Sequence, residues 1–205
     1  MTTKDEADHY FAEHPKSEPL FGLVCTRLKT KTFTFVTASG VFSIKKVDLG
    51  TRLLIENMIL PEKGCVLDIG CGYGAVGIAA AAFNPKLHVI LTDVNRRAVL
   101  LARQNIQKNR VPNAEAKHGA LYNPVQDCTF NCILSNPPVS AGMKTVEAII
   151  RGAPAVMCCK ATFQMVVRSK IGRKTLPKVF EETFGNVTVV ARESGYRVIM
   201  AEKQA

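Results

Sequence analysis

Residues 66–75, Val-Leu-Asp-Ile-Gly-Cys-Gly-Tyr-Gly-Ala, constrain the fold of this chain more than any other stretch. Val66, Leu67 and Ile69 form a short apolar run bounded by glycine, the pattern of a central parallel strand. Gly70, Gly72 and Gly74 permit a tight turn and the close approach of a ligand, because no Cβ intervenes. A helix is expected to open at about Ala75, with its free N–H groups facing the same spot. Strand, glycine turn and helix together form the opening unit of an α/β fold.

The chain on either side extends that unit. The 205 residues are enough for one α/β domain with a sizeable core and an appendage. From Cys65 onward, apolar runs and helical stripes alternate. Strands are predicted over residues 65–69, 87–92, 114–118, 129–135, 161–168, 186–192 and 195–201, and helices over 75–84, 95–109, 144–157 and 174–184. Pro154 is expected to kink or shorten the third of these helices, and Pro177 is tolerable only in the first turn of the fourth. Only Glu193-Ser194 separates the last two strands, so they must pair as an antiparallel hairpin. The predicted architecture is α/β: a doubly wound, mostly parallel seven-stranded sheet with an antiparallel edge. Residues 48–60 read as a further helix, ended by Pro61. Residues 1 to 32 read as polar and irregular. Phe33–Thr37 and Val41–Ser43 flank Ala38-Ser39-Gly40, a β-hairpin signal. We expect residues 1–47 to be an extension carrying that hairpin and residues 48–205 to be the α/β domain, in one compact unit.

In open α/β sheets, ligands sit outside the carboxyl ends of the strands. Asp68, Asp93, Gly119 and Asn136 all fall at such ends. The spacing Gly70-x-Gly72-x-x-Ala75 also fits a dinucleotide fingerprint, with Asp93 about 20 residues on to hold a ribose. Asp68 opposes that reading, since its charge would repel a pyrophosphate at the turn. A ligand with a cationic amino-acid end suits it better. S-adenosylmethionine has such an end, a ribose for Asp93 and no phosphate. The alternative for Asp93 is a plain acid at a helix N-terminus. A second motif, Asn136-Pro137-Pro138-Val139, follows the apolar run 130–134, a strand expected beside the first.

Taken together, Asp68-x-Gly70-x-Gly72-x-Gly74, Asp93 and Asn136-Pro137-Pro138 resemble the class I S-adenosylmethionine-dependent methyltransferases that modify planar nitrogens. The chain is further similar to the small-subunit ribosomal RNA guanine-N2 methyltransferases, in particular their compact archaeal form. That similarity rests on His9-Tyr10-Phe11, Ser39-Gly40-Val41-Phe42-Ser43, Lys46-Val47-Asp48-x-Gly50-Thr51, Asp93-x-Asn95-Arg96-Arg97-Ala98, Leu121-Tyr122, Phe184-Gly185-Asn186-Val187 and Gly195-Tyr196-Arg197-Val198. The resemblance implies S-adenosylmethionine as cofactor, with the backbone around Cys71 and Gly72 lining its methionine end and Val94 packing on its adenine. It implies a catalytic role for Asn136, Pro137 and Pro138. The Asn136 side-chain oxygen and the Pro137 carbonyl would bind the two hydrogens of a poorly nucleophilic amine and aim its nitrogen at the methyl group. Two departures stand out. Ala120 falls where the family usually has an acid for the adenine amine, leaving contacts to the backbone of Gly119 and Ala120. Val139 stands where adenine and glutamine methyltransferases often carry an aromatic residue, and an aliphatic surface is compatible with guanine N2. Adenine N6 and protein glutamine N5 are the alternative acceptors, and an RNA-binding protein with weakened cofactor binding is the alternative from another class.

The formal net charge of +10 suits a polyanionic partner such as ribosomal RNA. Arg27, Lys29, Lys31, Lys45 and Lys46 follow one another with no acid between them, and so do Arg168, Lys170, Arg173, Lys174 and Lys178. Lys46, Arg168, Lys170, Arg173 and Arg197 are candidate phosphate contacts, and a solvated face is the alternative for each. The seven cysteines lack ligand spacing, with Cys158-Cys159 adjacent and Cys128 and Cys132 isolated, so they read as reduced thiols and no metal site is expected. No apolar run reaches about 18 residues, so no membrane span is expected. The first residues lack the apolar core of a signal peptide, and a cytoplasmic protein is expected.

Overall fold

The computed structural model describes residues 13, 18–137, 142–170 and 175–204. In chain order the elements are β1 (Phe21–Leu28), β2 (Lys31–Ala38), α1 (Leu49–Asn57), β3 (Gly64–Ile69), α2 (Ala75–Phe83), β4 (Leu87–Asp93), α3 (Arg96–Lys108), β5 (Ala114–His118), β6 (Phe130–Ser135), α4 (Met143–Gly152), β7 (Met157–Arg168), α5 (Thr175–Phe184), β8 (Thr188–Glu193) and β9 (Tyr196–Glu202). Among the described residues, seven strands form one sheet in the order β5-β4-β3-β6-β7-β9-β8. The run from β5 to β7 is parallel. The antiparallel edge is made by β9, which lies between β7 and β8 and runs against both.

Strand periodicity divides the core into two layers. Val66 of β3, Leu91 of β4 and Leu134 of β6 pack on one face with residues of α1, α2, α3 and the hairpin. Leu67, Ile90 and Ile133, each one residue away, pack on the other with α4 and α5. Successive side chains of a strand point to opposite faces, so continuous apolar runs give a sheet covered on both sides. Helix α2 lies against β4 because Gly77 has no side chain: a Cβ there would meet Leu91 at 2.6 Å. Helix α4 ends at Gly152, and Pro154 falls in the 3-10 turn that follows, as its missing N–H requires. Pro177 sits in the first turn of α5.

The N-terminal hairpin is the main difference from the sequence reading. It is formed by β1 and β2, in register from Phe21↔Ala38 to Leu28↔Lys31. Residues 21–28, predicted irregular, are a strand, and Val41–Ser43, predicted as the second strand, are not. The turn is Lys29-Thr30, with Lys29 at φ 48, and lacks the Asn-Gly or Asp-Gly signal of a two-residue hairpin. In β1 the inward residues Val24 and Leu28 are buried while Phe21, Leu23 and Arg27 are exposed. That alternation is the strand signature, diluted by apolar residues on both sides. Beyond β2, Thr37 donates from its hydroxyl to the Ile44 carbonyl at 2.7 Å, drawing residues 41–46 back over the sheet.

Candidate active site

Strands β3 to β6 end at one edge of the sheet, and a pocket open to solvent lies there. Asp68 to Tyr73 come from the end of β3, Thr92 to Val94 from β4, Gly119 and Leu121 from the segment after β5, and Asn136 and Pro137 from the segment after β6. Val41 and Phe42 form part of the wall from the segment after β2, Thr51 comes from α1, and Thr145 and Ile149 come from α4.

The glycine turn is stitched to β4. The N–H groups of Gly70 and Cys71 both donate to the Thr92 carbonyl, at 2.9 and 3.0 Å. The Gly72 N–H donates to Asp93 Oδ2 at 2.8 Å, and the Asn95 N–H donates to Asp93 Oδ1 at 2.8 Å. Asp93 therefore holds the turn in shape as well as facing the pocket. Each carboxylate oxygen keeps capacity for a further donor such as a hydroxyl. The helix N-terminus next to it is capped by Asn95, whose side chain accepts from the Arg97 and Ala98 N–H groups, so Asp93 is not the cap of α3. Gly72 has φ 56 and a Cβ there would meet nothing within 4 Å. Its backbone thus borders open space where a ligand can approach.

Burial dominates the electrostatics. Asp68 is 1 % exposed, and desolvation pushes its carboxyl up to about 7, against the Gly77 N–H bond that lowers it and with nearby Asp93 adding to the rise. Burial also raises Asp93, opposed by the backbone donors from Asn95 and Gly72 and by His118. Cys71, half-buried beside both acids, is raised well above the ordinary thiol value by desolvation and by the two carboxylates. Two acids facing one pocket, Asp68 buried and Asp93 half-buried, favour a cationic ligand. Thr92, also buried at the pocket wall, has no partner for its hydroxyl among the described residues.

The predicted residues divide clearly. Asp68, Gly70, Cys71, Gly72, Asp93, Val94, Gly119, Asn136 and Pro137 come together in one pocket. Gly74 does not line it: its Cβ position points at Ile78, Leu91 and Ala102, so this glycine serves packing of the turn. Ala120 is exposed and outside the lining, and Leu121 lines the pocket instead, at φ 49. Of the predicted phosphate contacts, Lys46, Arg168 and Lys170 are exposed, but Arg197 is 7 % exposed, in register with Val167 and Arg192 across β7 and β8, and does not present a surface cation. Pro138, Val139 and Arg173 lie outside the described residues. Residue reasoning missed Val41, Phe42, Thr51, Leu121 and Thr145. The first four belong to stretches that carry the family resemblance, and nothing in their residue types or spacing singles them out.

Comparison with known proteins agrees with this geometry. The model of the methyltransferase small domain family matches residues 32–200. Bacillus subtilis YbxB is 37% identical over 199 residues, covering 96% of this chain and 99% of the relative. The ribosomal RNA small subunit methyltransferase C of Hamiltonella defensa is 31% identical over 192 residues, covering 91% of this chain and 56% of the relative. The chain thus spans about half the length of the methyltransferase C relatives it matches. Among solved structures, a T. thermophilus 16S rRNA N2 methyltransferase in complex with AdoMet and guanosine superimposes with a TM-score of 0.82 at 27% identity, over 93% of this chain and 52% of the other.

Proposed function

This chain belongs to the methyltransferase small domain family, and from that premise we propose that it methylates the N2 amine of a guanosine in small-subunit ribosomal RNA, in the cytoplasm, with S-adenosylmethionine as its cofactor. The residues present fit that cofactor. The open space over Gly72, the Thr92 hydroxyl, the buried Asp68 and the half-buried Asp93 are the features a cationic amino-acid end and a ribose require. Asp68 would face the amino-acid end, Asp93 the ribose hydroxyls, and Val94 with Leu121 the adenine. Bound S-adenosylmethionine supplies an electrophilic methyl group on a sulfonium.

The observation that carries the reading is the opening of Asn136 and Pro137 into the same pocket as Asp68 and Asp93. An amine conjugated to a purine is a weak nucleophile, because its lone pair is delocalised. The Asn136 side-chain oxygen and the Pro137 carbonyl accept its two hydrogens, fix the nitrogen's direction and stabilise the positive charge that develops there. Proline holds that carbonyl in place through its fixed φ. No strong base is required, since the alkylated nitrogen is acidic and loses its proton to water. The RNA assignment draws on the net charge of +10 and on what the relatives are named for.

The test is single-turnover methyl transfer to small-subunit ribosomal RNA, with product nucleosides identified by mass spectrometry. We expect N2-methylguanosine, and a fall of about a hundredfold or more in rate for Asn136→Ala, as for loss of one aligned transition-state group. Methyl groups on adenine N6, or on glutamine of a protein, would overturn the substrate. Near-wild-type transfer by Asn136→Ala would overturn the mechanism.

A further inference from the structure

Asn136 can serve as an acceptor only if its amide faces the pocket oxygen-first. An asparagine amide has nearly the same shape either way round, so something must set its direction. Its Nδ2 donates to Thr51 Oγ1 at 2.8 Å and points at Asp48 Oδ2 at 3.5 Å. Thr51 cannot decide the matter, because a hydroxyl both donates and accepts. An ionised carboxylate only accepts. A flipped amide would set its oxygen against Asp48 Oδ2 and turn an attraction into a repulsion.

We infer that Asp48 is a positioning residue, which locks the Asn136 amide with its nitrogen toward α1 and its oxygen toward the acceptor amine. The inference rests on the reading that Asn136 receives that amine. Asp48 is itself held from several sides. It is the N-cap of α1, where Oδ2 accepts from the Gly50 and Thr51 N–H groups at 2.9 and 3.2 Å. Tyr196 donates to its Oδ1 at 3.4 Å, and Arg168 Nε donates to the Tyr196 hydroxyl at 3.2 Å. Gly50 makes room for this packing, since a Cβ there would meet the Tyr196 ring at 2.9 Å. The carboxylate that starts a helix thus also sets the direction of a side chain 88 residues away.

Asp48→Ser separates the two roles. Serine caps a helix about as well as aspartate, so the variant keeps α1. It loses the rule against the flipped amide, because a hydroxyl can donate to the Asn136 oxygen as readily as it accepts from the nitrogen. Asparagine would not serve, since the oxygen that caps α1 is the same Oδ2 that faces Asn136 Nδ2. We expect kcat to fall about tenfold, as for a misoriented reacting group, with thermal stability and S-adenosylmethionine affinity unchanged. Asp48→Thr, which also caps through a hydroxyl, should behave alike and covers the case in which the first variant does not fold. The decisive readout is the same change in an Asn136→Asp background. A carboxylate at 136 has no amide to flip, and it faces Asp48 as a like charge. There Asp48→Ser should raise activity above that of Asn136→Asp alone. Wild-type kcat in Asp48→Ser, or an equal loss in both backgrounds, would overturn the inference. A wild-type enzyme that methylates another planar amine would overturn the guanine reading alone, because the cycle then reads out on that acceptor. An inert Asn136→Ala substitution would overturn both.

Discussion

Asp68 and Asp93 show how one residue type performs two jobs in one pocket. Asp93 has a backbone donor on each oxygen and so shapes the glycine turn. Its replacement by alanine should lower S-adenosylmethionine affinity by more than the tenfold typical of one charge-assisted hydrogen bond, because the turn loosens as well. Calorimetry on Asp93→Ala and Asp93→Asn separates the two effects, since asparagine retains one acceptor for the turn. Asp68 is governed by burial. Its carboxyl titrates near 7 in the fold against an ordinary 3.8, so between those values the folded state binds more protons than the unfolded chain. The stability of the ligand-free protein should therefore fall as pH rises through that window and level off above it. A cationic ligand favours the carboxylate, so cofactor affinity should rise with pH over the same window, with proton release on binding. Calorimetry in two buffers of different ionisation heat checks this, and Asp68→Asn should abolish the proton release. An affinity and stability indifferent to pH across the window would contradict the assignment.

At the scale of elements, α3 secures the hairpin through two asparagines one turn apart. Asn105 accepts from the Val36 N–H at 2.7 Å and donates to the Val36 carbonyl at 2.9 Å, and Asn109 does the same for Thr34 at 3.0 and 2.9 Å. Each side chain completes the hydrogen bonds of one β2 residue, much as a neighbouring strand would. Asn105 also donates to the Tyr73 carbonyl at 2.9 Å, tying the hairpin to the turn that leads into α2. Asn105→Ala should cost about 3 kcal/mol in urea denaturation, because it strands buried backbone groups on two elements. Asn109→Ala should cost less, being nearer the surface. The hairpin matters to the site because the segment that leaves it supplies Val41 and Phe42 to the pocket wall.

Across the whole molecule, the positive charge divides by use. Lys29 lies over the Phe83 ring at 5.4 Å, and Lys31 Nζ donates to the Ala82 carbonyl, where it satisfies the C-terminal turn of α2. These two cations serve the fold. Lys46 and Lys170 are exposed. Arg168 connects through Tyr196 and Asp48 to Asn136, which places it by hydrogen bonds next to the site. We therefore expect RNA affinity that falls steeply with salt, and a slope in log affinity against log salt reduced by about one for Lys46→Gln or Lys170→Gln. Lys31→Gln should leave that slope in place and lower stability instead. Filter binding over a salt series distinguishes them, and a salt-independent affinity would argue against an RNA substrate.

Local chemistry in the sequence determined the strand, glycine turn and helix at residues 66–75, the alternation that follows and the acids at the strand ends. These features depend on periodicity and backbone freedom within a few residues, so they survive without knowledge of the rest. The same reasoning reached Asn136 and Pro137, because a parallel strand must end at the same sheet edge as its neighbours. It failed at β1, where apolar residues on both faces mask the alternation and Lys29-Thr30 gives no turn signal. It could not separate a cation on the surface from one in the interior: Arg197 reads like Arg168, and only the folded chain, with β9 between β7 and β8, shows it buried. The residues around Asn136 were decided by tertiary structure alone. Asp48 and Thr51 lie 88 and 85 positions away and meet it because Gly50 lets α1 pack closely on Tyr196 of β9. Contacts between segments so far apart follow from how layers pack, and no local pattern of residues encodes them.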